Sequence, residues 1–203
     1  MMRRRQSEIT DPQEIGRILS AATIGRLATL GADGYPYITP VNYVFTNDCI
    51  YFHCALKGEK LDNIAREDRV CFEVDIPLAY LDLGFNPEGG ACSLHQFYHC
   101  VIIRGRARVV PGGDLKTMAI NALVAAHEPE RAPASVHEDM PEYKACAVVE
   151  IRPESVSAKS DLAQKKSAED REALARYLEK RGRPGDVATA AAMRDALQKQ
   201  KQA

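Results

Sequence analysis

The chain has 203 residues, 45% of them hydrophobic, and a formal net charge of -1. That length supports one sizeable core with room for an appended piece, and the balanced charge gives no global basic field for nucleic acid. No apolar run approaches the roughly 20 residues that cross a bilayer, and the basic start "MMRRRQSEIT" is followed by no apolar h-region, so neither a membrane span nor a secretory signal is expected. The cysteines (Cys49, Cys54, Cys71, Cys92, Cys100 and Cys146) form no CxxC and sit mostly in strand-like surroundings. They read as free thiols of a cytoplasmic protein and not as a disulfide frame.

The first element is "DPQEIGRILS". Asp11 is an N-cap, Pro12 fits the first helical position, and Glu14 can close a capping box, with Ile15, Ile18 and Leu19 forming one apolar face. The period then changes. "TIGRLATL" (23–30), "YPYITPVNYVF" (35–45) and "CIYFHCA" (49–55) are rich in β-branched and aromatic residues and are separated by the turn-forming "GADG" and "TND". "EKLDNIAR" (59–66) predicts a helix with Leu61, Ile64 and Ala65 on one face. Strands follow at "RVCFEVDI" (69–76) and "FYHCVIIRGRARVV" (97–110), then a helix at "DLKTMAINALVAAH" (114–127) with Leu115, Met118, Ala119 and Ala122 on one face. "KACAVVEIRPESVSA" (144–158) is the last strand. Six strands in this order, without a strand–helix alternation, predict a mainly β fold. A closed or nearly closed antiparallel barrel would remove the exposed edges. Beyond about residue 160 the composition turns highly charged, with Leu174, Tyr177 and Leu178 as its apolar stripe and "RGRPGD" as a break between two helices. The domain reading is therefore 1–158 for the barrel and 159–203 for a charged helical extension. The extension packs as surface helices or serves as a docking arm.

The stretch "YFHCALKGEK" (51–60) ends a strand at His53 and runs through Gly58 and Lys60 into a helix. A helix N-terminus offers unpaired N–H groups and partial positive charge, so this is either a phosphate site or a tight turn with a solvated lysine. "ITPVNYVF" places Pro40 inside a strand, which confines it to an edge or a bulge and could free backbone groups for a flat polar ring. "ACSLHQFYHC" brings Cys92, His95, His99 and Cys100 close in sequence. They would share a face for zinc only on a helix, and the segment reads as strand, so no metal is expected. Arg104, Arg106 and Arg108 share one strand face and read as a salt-bridged outer surface. No G-x-S-x-G, HExxH or GxGxxG occurs, which leaves hydrolase, zincin and dinucleotide-fold readings without a motif.

As an ordered set, "RRRQSEITD", "GRLATLGADGYPYITPVNYVF", "IYFHCALKGEKLDNI", "VCFEVD" and "ACSLHQFYHCVIIRGRARVV" resemble the FMN-binding split β-barrel proteins related to pyridoxamine-phosphate oxidase. Within that family they are most similar to the nitroimidazole-reductase-like flavoproteins. The match runs over roughly residues 3 to 155, with no counterpart for the tail. The resemblance implies a six-stranded antiparallel split β-barrel of Greek-key type with flanking helices. It further implies a homodimer with FMN in each of two interface grooves, and an FMN-dependent oxidoreductase acting on a small molecule. The stretch Pro40, Val41, Asn42, Tyr43 is then expected along the isoalloxazine, and Phe52, His53, Cys54, Ala55 and Lys60 along the ribityl-phosphate. Tyr98, Cys100 and Val101 are expected from the second subunit, Cys100 standing where related sequences more often carry serine. No catalytic side chain is assigned; His53 is the one candidate proton donor. A non-catalytic flavin-binding module and a haem-binding split barrel are the alternatives, which an absorption spectrum separates.

Overall fold

The computed structural model of the chain describes residues 5–131 and 134–202; residues 1–4 of the basic start lie outside the described residues. The strands are β1 (Glu8–Ile9), β2 (Ile24–Leu30), β3 (Pro36–Asn42), β4 (Val44–Thr46), β5 (Cys49–Ala55), β6 (Arg69–Leu81), β7 (His95–Val109) and β8 (Cys146–Asp161). The helices are α1 (Pro12–Ala21), α2 (Glu59–Arg66), α3 (Asp114–His127), α4 (Pro141–Ala145), α5 (Ala168–Arg181) and α6 (Asp186–Gln202). The described residues divide into two compact units, one within 15–74 and 101–157, the other within 5–14, 75–100 and 158–202.

In the first unit the sheet follows the order β3-β2-β6-β7-β8-β5-β4. Its two ends are β3 and β4, which the single residue Tyr43 joins in the chain. The sheet therefore curls until its first and last strands meet, which closes it as a barrel. The six expected strands are all present. Eight are assigned because a two-residue β1 pairs with β8, and because the run over 35–45 breaks at Tyr43. That break has a local cause. The Tyr43 hydroxyl donates to the Leu19 carbonyl, its own carbonyl lies 3.0 Å from His127 Nε2, and its ring meets Phe72 edge-on at 4.9 Å. A backbone carbonyl drawn to a side chain is lost to the ladder.

The barrel interior is filled by Leu27, Ile50, Phe52, Phe72, Val149 and Ile151, all fully buried. Each contributes about 1.5–3 kcal/mol relative to exposure. On β5 both faces are covered over Ile50–Phe52, because Tyr51 packs against Val110, Ala119, Ile120 and Tyr143 outside the barrel. The α3 face differs from the expected one: Lys116, Ala119, Ile120 and Leu123 are buried. Lys116 belongs there because its ammonium donates to the carbonyls of Tyr143 (2.7 Å) and Cys146 (2.8 Å) and sits over the Tyr143 ring. In α2, Asn63 replaces Ala65 on the buried side. Its amide donates to Thr29 Oγ1 at 3.1 Å and accepts from Arg66 at 3.0 Å, pinning the helix to β2.

In the second unit the tail is core. Leu174, Ala175, Leu178, Ala190 and Met193 from α5 and α6 pack with Ala79 and Leu81 of β6 and Phe97 of β7. Thr189 Oγ1 accepts from the Ala79 backbone N–H at 2.9 Å. Arg181 joins the same unit to Asp186 (2.6 Å) and Asp82 (3.1 Å). Residues 75–100 share the tail's core, in the unit that the chain re-enters at Ala158.

Candidate functional site

The site begins where β5 ends. His53 and Ala55 are exposed and Cys54 half-buried, so the strand emerges from the core at this point. The register His53↔Val148 and Ala55↔Cys146 fixes the strand end against β8. Three residues later comes Gly58, the N-cap of α2, whose φ of 142° belongs to the region that favours glycine. A Cβ built there would meet nothing within 4 Å, so open space lies in front of the helix start. No side chain caps it. The Gly58 carbonyl accepts from Leu61 (2.9 Å) and Asp62 (3.2 Å), while the N–H groups of Glu59 and Lys60, at the helix's first two positions, precede the first intrahelical bond. Lys60 is half-buried and near enough to Cys54 for its charge to favour the thiolate, although burial dominates and pushes that thiol up. Glu59 and Asp62 stand in the same first turn and weigh against an anion; Lys57 and Lys60 offset them.

The second component is β3, a terminal strand of the sheet path, paired with β2 through Ile24↔Asn42, Arg26↔Pro40 and Ala28↔Ile38. Pro40 fits such a strand because it has no N–H to give a second neighbour. Pro40 and Asn42 are exposed, and β3 and β5 approach one another in the barrel unit. Thr39 Oγ1, next to Pro40, is buried and has no hydrogen-bond partner among the described residues. A buried hydroxyl left in that state is uncommon. Sequence reasoning passed over Thr39 because a threonine in a β-branched run looks like ordinary strand composition.

The residues named from sequence thus fall into groups. Pro40, Asn42, His53, Cys54, Ala55 and Lys60 lie at least partly exposed in the barrel unit. Val41, Tyr43, Phe52 and Val101 are buried, between 0% and 7% exposed, so their side chains are core and only their backbone can face a ligand. Tyr98 and Cys100 are half-buried and belong to the second unit. The segment with Cys92, His95, His99 and Cys100 is strand from His95 onward. His95 Nε2 lies 3.3 Å from Asp161 and His99 Nδ1 lies 2.8 Å from Ser160 Oγ. The arginine stripe is paired as expected at Arg106, which meets Asp68 (2.8 Å) and Glu154 (2.7 Å), and at Arg108, 2.5 Å from Glu150.

A family model described as pyridoxamine 5'-phosphate oxidase matches residues 11–160. The chain belongs to the pyridoxamine 5'-phosphate oxidase-like family. Solved structures agree on the family's split-barrel fold. A Bacteroides thetaiotaomicron protein described as a 5-nitroimidazole antibiotic resistance protein superposes with TM-score 0.63 at 20% identity, over 75% of this chain and 85% of that one. A flavocytochrome from Azotobacter vinelandii gives 0.64 at 19% identity, over 79% and 72%. An FAD- and haem-binding protein from Mycobacterium smegmatis gives 0.66 at 15% identity, over 81% and 78%. No curated protein sequence matches the chain. Among the described residues no helix is long and apolar enough to cross a membrane.

Proposed function

We propose that the chain is an FMN-dependent oxidoreductase acting on a small molecule. The observation that carries this reading is the uncapped start of α2 at the end of β5. Open space lies before Gly58, with Lys60 beside the strand end and His53 exposed on it. Backbone N–H groups, a helix dipole and an ammonium at one point suit a phosphate monoester. In this reading Lys60 and the N–H groups of Glu59 and Lys60 hold the phosphate. His53, Cys54 and Ala55 border the ribityl chain. Pro40 and Asn42, with the backbone of Val41 and Tyr43, border the ring, and the Thr39 hydroxyl is the nearby buried polar group in want of a partner. Bound FMN supplies the electron chemistry, and the protein binds, orients and shields it. No acid or base is assigned; the contribution of these residues is placement.

The homodimer belongs to the same proposal. The outer face of β2 and β3 carries Ile24 (50% exposed), Leu30 (42%) and Ile38 (61%). Pro36 and Pro40 lie opposite Leu30 and Arg26 on it. An apolar face of this kind on a sheet's terminal strand suits a second copy, whose Tyr98–Val101 stretch would complete the groove. Sedimentation at micromolar concentration is expected to give a dimer, and a monomer overturns that part. For the function, apo-protein titrated with FMN is expected to quench flavin fluorescence saturably, one FMN per chain. Reduction of that FMN by a reduced nicotinamide, with reoxidation by a small-molecule acceptor, distinguishes the oxidoreductase from a binding module. Absence of saturable FMN binding by folded protein refutes the reading.

A further inference from the structure

The second unit holds a cavity of about 290 Å³ that no residue assigned to the flavin lines. It lies near the lower end of the roughly 300–1,000 Å³ of small-molecule sites. Its apolar wall is built from Leu81, Phe85 and Phe97, and its polar wall from His95 and Asp161. His95 directs Nε2 to the Asp161 carboxylate at 3.3 Å, and its ring rests edge-on against Phe97 at 4.9 Å. The imidazole is thereby held by a carboxylate on one side and an aromatic ring on another. An imidazole whose Nε2 proton faces a carboxylate presents Nδ1 as an acceptor. Lys165 and Lys166, both exposed, line the same cavity, so its ionisable lining sets two ammonium groups against the one carboxylate that His95 already engages. The loop carrying them turns through Ala163 at φ 61°, a left-handed conformation that a residue other than glycine rarely holds, and such strain gathers at ligand sites.

We propose that this cavity binds a small phenolic carboxylate. The apolar wall covers the ring, the phenol O–H donates to His95 Nδ1, and Lys165 and Lys166 meet the carboxylate. A positioned acceptor discriminates strongly against an analogue lacking the hydroxyl, because the imidazole nitrogen is then left without a partner. Cys92 also lines the cavity and is an exposed free thiol, so it reports occupancy.

The experiment uses the full chain with any flavin it carries. Binding of 4-hydroxybenzoate, benzoate and 4-hydroxybenzyl alcohol is measured by calorimetry, and alkylation of Cys92 by iodoacetamide is followed by peptide mapping. The expected result is saturable binding of 4-hydroxybenzoate, at least tenfold tighter than benzoate, which lacks the hydroxyl, and than the alcohol, which lacks the charge. Cys92 is protected at the same concentrations. His95→Phe, which keeps a ring against Phe97, is expected to abolish the preference, with 4-hydroxybenzoate binding no tighter than benzoate. Equal affinity for the three compounds, no saturable binding, unprotected Cys92, or displacement of FMN by 4-hydroxybenzoate would each overturn the proposal.

Discussion

Lys60→Ala is expected to weaken FMN binding about ten- to a hundredfold and to leave riboflavin binding nearly unchanged. The two ligands differ only by the phosphate, the group on which Lys60 is proposed to act. A charge-assisted hydrogen bond to phosphate contributes roughly 1.5–3 kcal/mol, which sets the expected range. Two features of the structure hold the loss within it. The α2 N-terminus survives the substitution, since Gly58 and the N–H groups of Glu59 and Lys60 are backbone. Glu59 and Asp62 already oppose an anion in the same turn, so Lys60 is partly spent on offsetting them. By the same reasoning Glu59→Gln should tighten FMN a few-fold, as charges near a helix end are worth about 0.3–1 kcal/mol. The assay is titration of apo-protein with each flavin, followed by flavin fluorescence. Equal loss for FMN and riboflavin in Lys60→Ala would mean that Lys60 shapes the loop and does not read the phosphate; no loss for either would return the segment to a solvated turn.

Leu178 is fully buried against Leu81 and Phe97, so Leu178→Ala should destabilise the second unit by about 2–5 kcal/mol in chemical denaturation. A loss below about 1 kcal/mol would mean that the tail helices are not core. At Gly105 a Cβ would lie 2.1 Å from the Arg152 carbonyl oxygen, and backbone there cannot swing aside; Gly105→Ala should lower stability by at least the 1–3 kcal/mol typical of overpacking. An unchanged melting temperature would contradict that close approach of β7 and β8. His99 is held below its usual 6.5 by burial, with Glu14 opposing. The unfolded chain therefore binds the extra proton first, and stability present above about pH 6.5 should fall as the pH drops toward the folded value. The His99→Gln variant should lose that part of the pH slope, and an identical slope in both proteins would contradict the assignment.

The strands were legible because β-branched runs separated by "GADG" and "TND" leave few alternatives, and α2 was legible to the residue from its cap-like glycine. What periodicity could not reveal was decided by partners distant in sequence. Tyr43 breaks its strand because Leu19 and His127 take its polar groups. Asn63 and Lys116 are buried because Thr29 and the carbonyls of Tyr143 and Cys146 satisfy them. The tail read as surface helices or a docking arm because its composition is highly charged. Yet Leu174 and Leu178, two residues of the stripe visible in sequence, meet β6 and β7, and β6 runs five residues past its expected end, to Leu81. At the candidate site the run 51–60 was legible as a strand end leading through Gly58 into a helix start. The burial of Phe52 and Val41 was not, since alternation alone does not say which face the barrel encloses.

The central claim, that this chain carries FMN, is tested most directly by releasing the small molecules from natively purified protein and identifying them by mass spectrometry, with uptake by the stripped chain as the complement. The account predicts FMN in the released fraction and stoichiometric FMN uptake by the stripped protein. Haem as the released group, or a folded chain that releases no flavin and takes up none, would contradict it.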